Sequence, residues 1–437
     1  MDVDTGGTAW VLTSAALVLL MTPGLAFFYG GMVRAKSVLN MIMMSLGSIG
    51  VVGVLWVLYG YSVAFGNDVG AGMLGNPGEY LGLEALLGGP DDPTALPDLA
   101  FVAFQAMFAI LTVALVSGAI ADRTRFGPWL LFTGLWATLV YFPVAHWVFA
   151  FDSDDGNVSG GWIANDLAAL DFAGGTAVHI NAGAAALALV LVLGRRRGWP
   201  GVAMGPHNLP FVVLGAGLLW FGWFGFNAGS AMAADNLAAT AFVNTLAAPC
   251  AAMLGWLLVE RIAYGKPTTL GAATGIVAGL VAITPACGSV TPLGALVIGA
   301  TAGVACALAV GLKFRFGLDD SLDVVGIHLV GGLIGTLLVG LFATETVTGD
   351  PAAEGLFYGG GLSQLGAQAL AAVAVLVYSF VLTLLIALLV KALVGFRADR
   401  EGEAIGLDET EHAESAYEFT VLRDGMPSSR ATADAGR

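Results

Sequence analysis

Apolar runs of about two dozen residues follow one another along this chain, each ended by a short polar stretch. Eleven can be counted, at about 8–30, 41–66, 99–121, 128–150, 172–194, 209–231, 237–259, 269–288, 291–313, 323–343 and 365–396. Each is long enough to cross a hydrocarbon core, which takes about 20 helical residues. Inside such a core a segment must pair its own backbone N–H and C=O groups, so each run is predicted to be a helix. Composition agrees: 57% of the 437 residues are hydrophobic and 11% charged, against roughly 25% charged in soluble domains. The chain reads as an all-α membrane protein.

The breaks between runs carry a second pattern. Arg34 and Lys36 follow the first run, Arg123 and Arg125 the third, Arg195, Arg196 and Arg197 the fifth, Arg261 and Lys266 the seventh, and Lys313 and Arg315 the ninth. Lys391, Arg397, Arg400, Arg423, Arg430 and Arg437 end or follow the eleventh, which accounts for all 17 basic residues. Every one falls on the same side, and the other side holds acids such as Asp68, Glu79, Asp152 and Asp350. Basic loops stay in the cytoplasm, so the N-terminus is expected outside and the C-terminus inside a cell membrane. One missed or extra span would scramble the segregation. The start "MDVDTGGTAW" has no basic residue and does not read as a cleaved signal peptide.

An odd count fits two inverted five-helix repeats, residues 1–396 forming an eleven-helix domain whose long last helix stands outside the repeat. Inverted repeats are a mark of transporters. The fifth run holds His179 and Gly183 at an H-x-x-x-G spacing, and the tenth repeats it with His328 and Gly332. Ionisable side chains inside a bilayer are costly and mark function. Both rings are expected to be neutral, each with one donor and one acceptor, and to lie within hydrogen-bond reach. At 1.5 Å per residue the two rings meet only if both helix starts are recessed. Asp171 and Asp323 would then be buried N-caps. A structural bond from each ring to a carbonyl is the plainer reading.

Other features narrow the chemistry. A net charge of −15 excludes nucleic acid as a partner. Cys250, Cys287 and Cys306 lie in apolar runs and read as small hydrophobes. No run of lysine or arginine lines any span, so an anionic solute is not expected. Phe104 and Phe108 share a helix face at i and i+4, as do Phe226 and Ser230, while Trp147 and Phe149 end the fourth run. Rings with a hydroxyl at an outer mouth suit a small cation. Packing against lipid and an interfacial aromatic belt stay open as the alternative. His146, near the outer end of the fourth run, is a further histidine within a span.

The stretches "FFYGGMVRAKSVLN", "FQAMFAILTVALVSGAIADRTRF", "DFAGGTAVHINAG", "PHNLPFVVLGAGLLWFGWFGFNAGSA", "GLVAITPACG" and "DDSLDVVGIHLVGG" together resemble the ammonium transporter family (Amt/Mep, related to the Rhesus proteins), over nearly the whole chain. The resemblance implies eleven helices with inverted halves, a pore in each monomer of a homotrimer, and ammonium and ammonia as the transported species, with no cofactor. It implies that Phe108 and Phe226 form a stacked gate, that Ser230 and Phe104 belong to the outer ammonium site, that His179 and His328 are the twin pore histidines, and that Asp171 supports the recruitment region. The family's usual outer tryptophan falls at Phe149 here, with Trp147 two positions away. The tail segment "GLDETEHAESAY" is similar to the family's regulatory tail, with Ala413 where glycine is usual, and implies a PII-type nitrogen regulatory protein as partner.

From these readings ammonium is expected to bind outside, to lose its proton near the phenylalanine gate, and to cross as ammonia past the histidines with net proton movement. The alternatives are a passive channel for ammonia or carbon dioxide and an ammonium sensor signalling through its tail. An intramembrane metalloenzyme needs a third ligand and a nucleophile, and the sequence offers neither. The tail, 397–437, is expected to dock its acids Glu401, Glu403, Asp408 and Glu411 on the loops bearing Arg34, Arg123 and Arg195. Leu407 anchors it, order reaches about Tyr417, and the chain is disordered after about 424.

Overall fold

A computed structural model describes residues 4–88, 95–153 and 156–417. Among the described residues, ten helices are long and apolar enough to cross a membrane: α1 (Thr5–Met32), α2 (Ala35–Phe65), α3 (Asp98–Ile120), α4 (Phe126–Phe149), α5 (Gly175–Leu193), α6 (Leu209–Ala231), α7 (Asn236–Tyr264), α9 (Pro292–Phe316), α10 (Val325–Phe342) and α11 (Ser363–Val394). The eighth place is taken by a shorter apolar helix of 15 residues, α8 (Thr269–Ile283). It was expected to run to about residue 288. Pro285 follows it at once and has no N–H to extend the ladder. Two short helices, α12 (Arg400–Ile405) and α13 (Leu407–His412), lie in the tail. Among the described residues there is no β-sheet. The expectation of disorder past 424 falls outside the described residues.

Several helix starts are fixed by the residue before them. Asp4, Asn208, Asp235, Thr268 and Thr291 each accept a bond from the N–H three positions on, which satisfies one of the orphan donors of a first turn.

Helices α5 and α10 begin differently, and their starts place the histidines. Each opens with a wide π turn, 175–180 and 325–329. Before α5, the Asp171 carboxylate accepts from the N–H groups of Gly174 (2.8 Å), Gly175 (2.6 Å), Thr176 (2.7 Å) and Ala177 (3.3 Å) and from the Thr176 hydroxyl. Before α10, the cap is Asp320, which accepts from Val324 N (3.1 Å) and Val325 N (2.8 Å). Asp323, expected in this role, has φ of 62° and gives its carboxylate to Lys313 Nζ at 2.7 Å. Each true cap stands eight positions before its histidine, Asp171 before His179 and Asp320 before His328.

The two helices cross antiparallel at two glycines. A Cβ on Gly183 would lie 2.6 Å from Leu329 Cα, and one on Gly332 would lie 3.1 Å from His179 Cβ. Each H-x-x-x-G glycine therefore faces the other helix beside its histidine. Close backbone approach of this kind is how small residues set helix crossings in membranes.

Candidate functional site

A cavity of about 640 Å³ opens at the end of the molecule that carries the acidic loops. Phe108, Phe149, Asp171 and Ser230 line it, with Phe101 and Gln105. The Phe108 and Phe226 rings meet at its floor, centroids 4.2 Å apart and planes inclined by 31°. Ser230 Oγ donates to the Phe226 carbonyl at 2.8 Å, so its lone pairs stay available to a donor in the cavity. The Asp171 carboxylate already accepts five bonds, which fills the roughly four lone-pair sites such a group offers. It acts here as a cap that shapes the wall.

The other site candidates are placed differently. The face of α3 that lines the cavity is Phe101, Gln105 and Phe108. Phe104 is fully buried to one side, 4.8 Å from the Phe108 centroid and against Gly229. Trp147 does not line the cavity. Its indole N–H donates to Met73 O at 2.9 Å and its ring packs on Tyr378 with centroids 4.5 Å apart. Two positions along a helix are about 200° of rotation, so Phe149 facing the cavity turns Trp147 away. His146 is a structural tie between α4 and the end of α2, with Nδ1 3.1 Å from Ala64 O and Nε2 3.3 Å from Asp68 Oδ1.

Beneath the phenylalanine floor lies a line of rings. His179 stacks 6.2 Å from Phe226 and 5.5 Å from Trp223. His179 Nδ1 and His328 Nδ1 are 3.2 Å apart, both rings buried. A bond between two Nδ1 atoms needs one of them bare, so at most one ring of the pair can be an imidazolium. Among the described residues, His179 Nε2 has no hydrogen-bond partner. Past His328 a narrow cavity of about 10 Å³ is lined by Leu25, Phe28, Tyr29, Leu115 and Trp223, at the lower limit of what admits one water.

The sequence profile of the Ammonium Transporter Family matches residues 9–417. The chain belongs to the ammonium transporter family. The transporter is 63% identical to an ammonium transporter of Mycobacterium tuberculosis over 99% of this chain and 94% of that protein. It is 48% identical to one of Bacillus subtilis, over 95% and 99%. Among solved structures it resembles Mep2 of Saccharomyces cerevisiae, with a TM-score of 0.82 and 36% identity, covering 92% of this chain and 89% of that one. It also resembles a chain described as "Sensor Amt Protein", with a TM-score of 0.84 and 29% identity over 93% and 98%.

At its basic end the transporter buries a network of charges. Arg196 holds Asp319 through Nε (3.0 Å) and Nη2 (2.8 Å), and Asp122 through Nη1 (2.9 Å). Arg34 reaches the same Asp122 oxygen at 3.2 Å. Arg123 is fully buried and donates to Ser321 Oγ (2.5 Å) and to the carbonyls of Ala119 (3.1 Å) and Asp319 (2.7 Å). Burial alone pushes the Asp319 carboxyl up. The Arg196 guanidinium and then Arg123 outweigh it and hold the group below the ordinary range.

The tail docks on this end, on the expected loops, through residues beside the three arginines that mark them. Arg34 and Arg123 are committed to the buried network, and Arg195 donates to Gly317 O. The tail is held instead by Lys36 Nζ on Glu403 O (3.0 Å), Arg397 on Glu403 (2.5 Å) and Arg197 N on Glu403 (3.0 Å). Asp408 accepts from Asn40 N (2.8 Å) and Glu411 from Phe126 N (3.0 Å), so two tail acids cap α2 and α4. Leu407 is fully buried and Tyr417 meets His207 Nε2 at 2.7 Å.

Trp223 and Asp320 are the site residues that sequence reasoning missed. Trp223 stands among other aromatics in "LLWFGWFGF", where nothing local says which ring faces inward. The repeated eight-residue interval from aspartate to histidine was the available signal for Asp320.

Proposed function

We propose that the transporter takes ammonium at the cavity floor, between Phe149, Phe108 and Ser230, removes its proton there, and passes ammonia along His179 and His328 toward the basic end. The observation that carries this reading is the ring-lined path: two stacked phenylalanines, then two bonded histidines, then a narrow apolar cavity. A charged group pays heavily in such surroundings, whereas neutral ammonia costs only what an imidazole nitrogen can compensate. The ring faces suit the cation outside. His179 Nε2 supplies the unclaimed polar atom inside. The released proton follows the histidine pair, so uptake moves net charge.

In this reading the acidic end faces outward across the cell membrane, the basic end and tail face the cytoplasm, and three copies assemble as the resemblance implies, serving nitrogen uptake. A PII-type protein binds at the tail-covered end. Passive gas passage would not need a cation-suited vestibule. A sensor would not need the histidine line.

The test is the full chain and His179→Leu, reconstituted in liposomes and challenged with ammonium, methylammonium and potassium. The expected result is saturable ammonium current in the first and its loss in the second. Full ammonium transport by His179→Leu would remove the histidines from the path. Deletion after Phe396 tests the tail: unchanged transport and unchanged inhibition by a PII-type protein would end its regulatory role.

A further inference from the structure

Helix α11 stands outside the five-helix repeat, and one of its side chains touches both halves where the pore helices cross. We propose that Gln368 is a positioning residue of the transport path. Its amide, fully buried, fixes the loop that caps α5 against the backbone of α10 and so sets the meeting of His179 and His328. This deepens the reading of the histidine pair as the conduction line and rests on it.

All four bonding positions of this amide are used. Oε1 accepts from Leu170 N at 2.7 Å and from Gln364 Nε2 at 3.2 Å. Nε2 donates to Leu170 O at 2.7 Å and to Thr336 O at 3.1 Å. Two donors and two acceptors are the full capacity of a glutamine. The arrangement also fixes the orientation, since a flipped amide would set its NH2 against the Leu170 N–H.

The two targets are the reason this bond set matters. Leu170 directly precedes Asp171, the cap of α5, which carries His179, and both its backbone polar groups are taken by Gln368. Thr336 lies on α10 two turns beyond His328, and its Oγ1 would be 2.8 Å from a Cβ on Gly175, the first residue of α5. Gln368 thus holds α5 and α10 at the end of their crossing opposite Gly183. Glycine contacts let the helices approach, and the amide fixes how far they slide.

The experiment compares the reconstituted full chain with Gln368→Leu, Gln368→Glu and, as a control on the histidine line, His179→Leu. Rates are normalised to folded protein. A displacement approaching 1 Å at a reacting centre costs up to about a hundredfold in rate. The expected result for Gln368→Leu is therefore a fall of about tenfold in maximal ammonium rate, with the half-saturating concentration within about twofold. Glu at this position, when protonated, can still accept from Leu170 N–H and donate one bond to a carbonyl. Its rate relative to the unsubstituted chain is therefore expected to rise as the pH is lowered from 7 to 5. A role confined to stability would move the yield of folded protein and neither of these readouts. Full rate in Gln368→Leu overturns the proposal, and so does a flat pH ratio in Gln368→Glu, which decides the matter if the leucine variant does not fold. Normal transport by His179→Leu would instead overturn the conduction line itself.

Discussion

Replacing Gly183 by alanine tests the crossing directly. The added Cβ would lie 2.6 Å from both Cα and Cβ of Leu329, where ordinary contact begins at 3.4 Å. Leu329 is the neighbour of His328, and backbone atoms cannot rotate out of the way. Relief needs roughly 1 Å of separation between α5 and α10, a typical overpacking response costing about 1–3 kcal/mol. Alanine returns about 1 kcal/mol of helix propensity, so the variant is expected to fold with a small drop in thermal midpoint. The histidine pair has less room. From 3.2 Å an added 1 Å takes the Nδ1 atoms to about 4 Å, beyond hydrogen-bond range. Gly332→Ala is the graded control. Its nearest contacts would be 3.1 Å, which a shift of a few tenths of an ångström relieves, leaving the rings in reach. Gly217→Ala, with nothing within 4 Å, is the blank. Ammonium-driven current per folded molecule should fall by more than about tenfold in Gly183→Ala, by a few fold in Gly332→Ala, and not at all in Gly217→Ala. Equal currents in the first two, or a reversed order, would refute the claim that the glycines set the distance between the histidines.

Three further outcomes are expected. Ala413 ends α13 with φ of 53°, a left-handed conformation that costs a residue with a Cβ about 1 kcal/mol, so Ala413→Gly should protect the tail from limited proteolysis, and faster cleavage would contradict this. Phe149→Trp should lower the half-saturating ammonium concentration by about two- to fivefold, since the larger ring gains about 0.5–1 kcal/mol with a cation at a partly wet site; an unchanged value would take Phe149 out of the site. Because Asp319 is held below its ordinary value by Arg196 and Arg123, its stabilisation is complete above about pH 4 and is lost as pH falls through the depressed value, so the thermal midpoint should drop more steeply below pH 4 in the full chain than in Asp319→Asn, and parallel curves would contradict the pairing.

Much of the fold was legible because bilayer physics writes itself into long stretches of sequence. Seventeen basic residues, all on one side of the counted spans, gave a check on the span count, and no single residue carried that inference. The histidines were legible because a charged type in an apolar run is rare and the H-x-x-x-G spacing recurs. Residues whose role depends on direction were harder. Asp323 looked like the cap because it stands next to the helix, but Lys313 claims it, and Asp320 reaches forward from the turn before. Trp147 and Phe149 were both assigned to an outer aromatic cluster, and the rotation of α4 puts only Phe149 on the cavity. Phe104 shares a face with Phe108, yet Gly229 on α6 leaves a slot that takes it out of the cavity. The tail docks on the loops expected, with Leu407 buried as its anchor, but the residues that hold it stand beside Arg34, Arg123 and Arg195, because the sequence could not reveal which charges were already spent inside.

The buried network at the basic end has a consequence for how such a chain is made. Arg34, Asp122, Arg123 and Arg196 are all synthesised with the first five helices, whereas Asp319 comes just before the tenth. In the folded chain Arg34 and Arg196 share the Asp122 carboxylate, and Arg196 takes Asp319 as its second partner. Leaving a buried ion pair half complete costs about 3–5 kcal/mol, so the folded core reaches its full strength only where Asp319, from the second half, meets Arg196, from the first. Arrival of Asp319 seals the two halves together.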